Sequence, residues 1–200
     1  MDIFDFNADY ILEDDIVRLR SLETTDFEHL LEYSVNEPDI WAFNAGGAAG
    51  PENLKIYIDN AVKLRQEAKV YPFIVFHKKD NKYIGSTRFY NIEPERKILE
   101  LGFTWYGKNY QGTGINKNCK YLLFDFAFSK LGIERVGLGA NSKNQRSINA
   151  MKSVGCTVEG ILRSRGYDAE GQRIDSVVLS ILKNEWQNEW KEKLKSKTLQ

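Results

Sequence analysis

The segment Tyr110-Gln111-Gly112-Thr113-Gly114-Ile115-Asn116 sets two glycines two residues apart, just before a long run of helical spacing. Glycine lets the backbone approach a ligand with no Cβ in the way. The free N–H groups of a helix's first turn, at the positive end of its dipole, hold phosphate oxygens. A pyrophosphate fits such a loop. The letters are not those of a P-loop, which closes on Gly-Lys-Ser/Thr, nor of a dinucleotide fingerprint, whose third glycine would stand at Lys117. They also suit an ordinary turn from strand to helix, so the loop alone leaves both readings open. Upstream, Glu100 is the only acid of an apolar strand and needs a partner, a neighbouring arginine or a backbone group. Downstream, Asn144 and Ser147 stand where side-chain oxygens satisfy the first N–H groups of a short helix.

These residues need elements to position them. Period-two alternation predicts strands over 16–20, 71–77, 83–90 and 98–106, the last three forming an antiparallel meander with turns at 78–81 and around 93–95. In the strand that holds Glu100, strict alternation puts Ile98, Gly102 and Thr104 on its face and Leu99, Leu101, Phe103 and Trp105 on the other. Thr25-Asp26-Phe27-Glu28 has the form of a capping box ahead of Phe27, Leu30 and Leu31. The stretch Ala45 to Pro51 reads as a flexible wall before a helix over 52–67. Ile115, Cys119, Leu122, Leu123, Phe126, Ala127 and Leu131 recur at helical offsets, and Gly132 ends that run. A strand over 134–140, a short helix from Asn144 to Gly155, and two long closing strands, 157–166 and 172–182, complete the pattern around a turn at 168–171. The order predicts an α/β sheet with an antiparallel portion at each end. Trp186, Trp190 and Leu194 form one apolar stripe on a charged tail helix, expected to pack on the core or in a homodimer.

Composition narrows the function further. Two hundred residues at 42% hydrophobic suit one domain with a substantial core. The 28 basic and 28 acidic side chains cancel, so no bulk positive field points to nucleic acid or an anionic membrane. No apolar run is long enough to span a bilayer and no secretory signal opens the chain, which predicts a cytoplasmic protein. Cys119 and Cys156 lie far apart within apolar patterns and read as buried reduced thiols, while His29 and His77 are isolated, so no metal site is expected.

The blocks Leu99-Glu100-Leu101-Gly102-Phe103, Gln111-Gly112-Thr113-Gly114, Asn144-Gln145-Arg146-Ser147, Val154-Gly155 and Glu159-Gly160-Ile161-Leu162-Arg163 follow one another in a telling order and spacing. Together they resemble the GNAT superfamily of acetyl-CoA-dependent N-acetyltransferases, in its RimJ/RimL branch of ribosomal-protein-type N-terminal acetyltransferases. The resemblance spans about residues 15–186, leaving an N-terminal extension, 1–14, and a helical tail, 187–200. It implies a mixed, mostly antiparallel twisted sheet, splayed near Tyr106 where the thioester arm lies, with helices on both faces.

The family's Gln/Arg-x-x-Gly-x-Gly/Ala motif falls on Gln111 to Asn116 and departs from the pattern at Asn116, which puts close pyrophosphate contact by that one residue in question. By resemblance, Phe103, Thr104, Trp105, Gln111, Gly112, Thr113, Gly114, Ile115, Asn116, Asn144 and Ser147 line acetyl-CoA, with Ser147 near the sulfur and Glu100 as a water-linked general base. The amine would attack the thioester directly, with no covalent enzyme intermediate. At pH 7 freeing an amine of its proton costs about 1 to 1.4 kcal/mol for an α-amine and about 4.6 for a lysine, so a base helps both. The implied acceptor is a protein N-terminal α-amine, with polyamines, amino acids and antibiotics as alternatives. A non-catalytic acetyl-CoA sensor is the competing class.

Overall fold

The computed structural model describes residues 4–43, 47–168 and 171–198. The glycine-rich stretch before residue 51 and the turn at 168–171 therefore fall partly outside the described residues. Eight strands form one sheet: β1 (Leu12–Glu13), β2 (Val17–Ser21), β3 (Val70–His77), β4 (Lys82–Glu93), β5 (Ile98–Tyr106), β6 (Arg135–Asn141), β7 (Thr157–Tyr167) and β8 (Arg173–Leu182). Their spatial order is β1-β2-β3-β4-β5-β6-β8-β7, and every neighbouring pair is antiparallel except β5 with β6. The crossover between those two strands contains the helix α3 (Ile115–Asp125), as a parallel connection requires.

Helices cover both faces. On one side α1 (Phe27–Asn36) and α2 (Pro51–Gln66) bury Leu30, Leu54, Ile58 and Ala61 with Ile74 and Trp105 of the sheet. On the other, α3, α4 (Gln145–Ser153) and the tail helices α5 (Lys183–Glu185) and α6 (Lys191–Thr198) enclose the larger core. The π-helical turn Trp186–Trp190 joins the two tail helices. Central strand β3 is buried on both faces, Tyr71, Phe73 and Val75 to one core and Ile74 to the other, which is why it reads as a continuous apolar run. The tail stripe packs within the chain: Trp186 and Leu194 are fully buried in the larger core. Phe4 enters the same core, and the Tyr71 hydroxyl donates to the Ala8 carbonyl, so residues 4–14 lie against the sheet.

Two local expectations need correction. The first helix is preceded by a 3-10 turn, Thr24–Asp26, and its capping box is Glu23 with Asp26, not Thr25 with Glu28. Buried Asp26 accepts from the Glu23 amide at 2.9 Å and from both terminal nitrogens of Arg20, and a carboxylate so committed fixes where the turn begins. The second concerns β5. Gly102 pairs with Arg88 and Trp105 with Ser86, so Phe103 and Thr104 together oppose Thr87 in a β-bulge, with Phe103 at φ 51°. The bulge reverses the alternation. Leu99, Leu101 and Tyr106 face the larger core, while Trp105 faces the smaller one, on the side of Glu100 and Gly102.

Candidate functional site

Strands β5 and β6 pair only at Ile98–Arg135, Leu99–Val136 and Glu100–Gly137. Beyond Glu100 they part, so the splay begins at Leu101 and runs to Tyr106. A cleft of about 390 Å³ occupies this gap, lined from β5 by Leu101 to Tyr106, from β6 by Leu138 to Asn141, and by the loop that opens α3 and the start of α4.

The loop is shaped by its glycines. Gly112 has φ 76° and Gly114, the residue capping α3, has φ 98°, both in the left-handed region that side chains disfavour. A Cβ at either would meet open space, so the constraint is backbone conformation and not crowding by the protein. Among the described residues the N–H groups of residues 112 to 116 have no acceptor; the first turn begins with Lys117 donating to the Gly114 carbonyl at 2.8 Å. Five backbone donors thus gather at the positive end of an eleven-residue helix. Gln111 secures the loop with its side chain, donating to the Tyr106 carbonyl at 2.8 Å and accepting from Arg146 of α4. Arg146 and Lys117 also line the cleft and add positive charge beside these donors.

Of the residues singled out from sequence, Phe103, Thr104, Trp105, Gln111, Gly112, Gly114, Asn116, Asn144 and Ser147 line one cleft. Thr113 and Ile115 do not: the Thr113 hydroxyl turns back to the Tyr110 carbonyl, and the Ile115 side chain is buried in the core. What they bring to the loop is their backbone N–H groups. Asn144 caps α4 by accepting from the Ser147 amide at 3.0 Å, the local role its position suggests, while remaining on the cleft wall.

Glu100 stands beside the cleft at the last paired position of β5. Its side chain lies across Gly137, where an added methyl would sit 3.2 Å from the Glu100 Cγ. Tyr90 stands opposite it on β4: burial, then the hydrogen bond and charge of Glu100, hold the Tyr90 phenol above its ordinary pKa.

Lys120 was not legible as a site residue. It is 4% exposed on α3, lines the cleft, and donates to the Thr104 hydroxyl at 3.1 Å, which in turn lies 2.7 Å from the Thr87 hydroxyl. Burial pulls its ammonium down to about 8. In sequence it is one more lysine among polar positions of an amphipathic helix; only its burial against Thr104 of β5 shows that this flank is covered. The neighbouring thiols of Cys119 and Cys156 are buried and free, and burial pushes both up to about 12. They are protonated at neutral pH and unsuited to nucleophilic work. Among the described residues no cluster of three potential metal ligands occurs, and no helix is long and apolar enough to cross a membrane.

Residues 17–157 match the model of the Acetyltransferase (GNAT) domain. The uncharacterized N-acetyltransferase p20 of Bacillus licheniformis is 27% identical over 170 residues, covering 84% of this chain and 93% of the relative. YdaF of Bacillus subtilis, provisionally named a ribosomal N-acetyltransferase, is 28% identical over 176 residues, 86% of this chain and 93% of that protein. A solved structure from T. thermophilus, provisionally described as an acetyltransferase, is 30% identical with a TM-score of 0.82, covering 93% of this chain and 95% of that one. A GCN5-related N-acetyltransferase from Brucella melitensis shares the fold at a TM-score of 0.87 and 22% identity, over 96% of this chain and 86% of that one.

Proposed function

The chain belongs to the GNAT acetyltransferase family, and from that premise we propose that it transfers the acetyl group of acetyl-CoA directly to a primary amine, with a protein N-terminal α-amine as the leading acceptor. The observation that carries the cofactor assignment is the set of unpaired backbone donors at residues 112 to 116, beside Arg146 and Lys117 in the mouth of the splay. Such a set suits the pyrophosphate of a coenzyme A thioester. The pantetheine arm then follows the gap between β5 and β6, where unpaired strand edges offer amide partners and Asn144 stands on the wall. The bulge at Phe103 and Thr104 offers main-chain donors to the thioester oxygen as it gains charge.

In this reading the amine approaches from the side of Glu100 and Gly102. Glu100, through a water, removes the ammonium proton and the nitrogen attacks the thioester carbonyl; the carbon–sulfur bond then breaks as Ser147 hydrogen-bonds the departing thiolate and passes it a proton, replaced by the second proton of the attacking nitrogen. The resemblance to YdaF supports a ribosomal or other protein N-terminus as acceptor. The test is release of free thiol from acetyl-CoA in the presence of N-terminal peptides, free amino acids, polyamines and aminoglycosides. Turnover with at least one amine is expected. Tight acetyl-CoA binding with no release from any of them would make the protein a sensor.

A further inference from the structure

We propose that the acceptor amine carries a carboxylate and that Arg88 receives it; the proposal rests on the acetyltransferase reading and narrows its substrate. Arg88 lies in the middle of β4, paired with Pro72 on one side and Gly102 on the other, and is 5% exposed. Its guanidinium is held between two aromatic rings, 4.9 Å from the Tyr57 centroid and 4.3 Å from that of Phe103. Among the described residues its Nε and Nη2 have no hydrogen-bond partner, and no carboxylate pairs with it. The contrast with other arginines is direct: Arg20 is paired with Asp26 at 2.6 Å and Arg65 with Asp9 at 2.8 Å. A guanidinium cannot shed its charge on burial, so an unpaired one in a strand centre calls for an anion from outside.

The surroundings agree on which kind of group. Ser86, two residues earlier on the same face of β4, is fully buried, and among the described residues neither its hydroxyl nor the buried Trp41 indole N–H has a hydrogen-bond partner. Trp41 packs 4.5 Å from Trp105, which pairs with Ser86 across the strands, and 5.8 Å from Tyr57, which lies against the Arg88 guanidinium, so the three groups border one aromatic cluster. Arginine and tryptophan only donate, and the serine hydroxyl can donate as well, a set complementary to a group that only accepts. A carboxylate takes two parallel bonds from a guanidinium. A polyamine or an aminoglycoside would instead bring positive charge against it.

Position links this cluster to the reaction. Arg88 faces the same side of the sheet as Glu100 and Gly102, away from α3 and the phosphate-binding loop. Phe103, 42% exposed and on the cleft wall, is the ring between the guanidinium and the gap, and the bulge at this residue is what turns it onto that side. An acceptor whose nitrogen lies at the thioester presents its carboxylate to Arg88 when the Phe103 ring swings aside.

Matched amine pairs test this in the intact protein: free amino acids against their amides, and N-terminal peptides with aspartate or glutamate near the amine against the asparagine or glutamine versions. Wild type should favour the acid member by about 10- to 100-fold in kcat/KM, mostly through KM, as expected for losing a charge-assisted hydrogen bond. Preference among free amino acids identifies an α-carboxylate as the source; preference only among peptides identifies an acidic side chain. Arg88→Met keeps a long apolar stem between the rings and should bring the acid-to-amide ratio within about threefold of unity, while acetyl-CoA still raises the melting temperature. Equal kcat/KM for both members of every pair in wild type would overturn the proposal without any variant, as would a folded Arg88→Met protein that keeps the preference. Thiol release with a polyamine or aminoglycoside but with none of the pairs would overturn this proposal alone; absence of release with every amine would remove the acetyltransferase reading and this one with it.

Discussion

The two faces of β5 bury a cation each, and they meet the same electrostatic cost in different ways. On the α3 side, Lys120 has one hydroxyl as partner, and burial lowers its pKa to about 8, so loss of a proton is within reach near neutral pH. On the α1 and α2 side, Arg88 has no such route, and it sits unpaired between aromatic rings. The lysine is charged at pH 7 and can lose that charge a little above it. The arginine keeps a permanent charge suited to recognising an anion. A bulge of one residue separates the two regimes, because it turns Phe103 and Trp105 to the arginine side and Thr104 to the lysine side.

The largest effect should come from the cofactor side. Gly114→Asp places a carboxylate at the mouth of the loop, where it faces the phosphates, and should remove the acetyl-CoA-induced rise in melting temperature, a loss of at least about 100-fold in affinity. Gly114→Ala carries the same backbone strain at φ 98° without the charge and should retain most of the shift. An unchanged shift in a folded Gly114→Asp protein would show that the loop does not hold the pyrophosphate.

Glu100→Gln sharpens the acceptor side. It keeps size and most hydrogen bonding but removes the basic oxygen, so kcat at pH 7 should fall by about 100-fold, with acetyl-CoA affinity near wild type. The deficit should narrow as pH rises, because more of the amine then arrives unprotonated. Full kcat across pH 6 to 9 would leave Glu100 as a carboxylate that holds Tyr90 and its strand, without a part in proton transfer.

The smallest effect is on stability and bears on the lysine directly. Its folded pKa lies below its unfolded value, so between about 8 and 10.5 the unfolded chain holds a proton that the folded one has lost, and stability rises with pH across that window. Below it the buried charge is a constant penalty, of order 1–3 kcal/mol. Lys120→Met removes the charge at similar length and should raise the melting temperature by several degrees at pH 7. The gain over wild type should fade between pH 8 and 10.5. A pH-independent difference, or a loss of stability at pH 7, would mean that Lys120 is well paired and that the two faces do not differ as described.

The side proposed for the cofactor was the more legible because backbone chemistry leaves marks in local sequence. Two glycines before an apolar period of 3.6 announce a loop whose N–H groups are free, and Gly112 and Gly114 do adopt left-handed φ with five unpaired donors around them. Asn144 announced a helix start in the same way and caps it. The side proposed for the acceptor draws on side chains from α2, β4, β5 and the segment before α2, and nothing in the spacing of Trp41, Tyr57, Ser86, Arg88 and Phe103 relates them. Strict alternation even assigned Phe103 and Trp105 to the wrong face, since a bulge is a property of the pairing between two strands and not of one strand's letters.

By itself, then, the sequence determined what depends on neighbours along the chain: the strand and helix periods, the glycine loop and helix caps, the absence of a bulk charge, and the family those blocks resemble. Tertiary structure alone decided where β5 leaves β6, which face each residue after Gly102 occupies, and which cations are buried. Those outcomes depend on contacts between residues far apart in sequence, such as Arg88 with Tyr57 and Lys120 with Thr104, and burial is what converts an ordinary surface charge into a group with a lowered pKa or an unmet need for an anion.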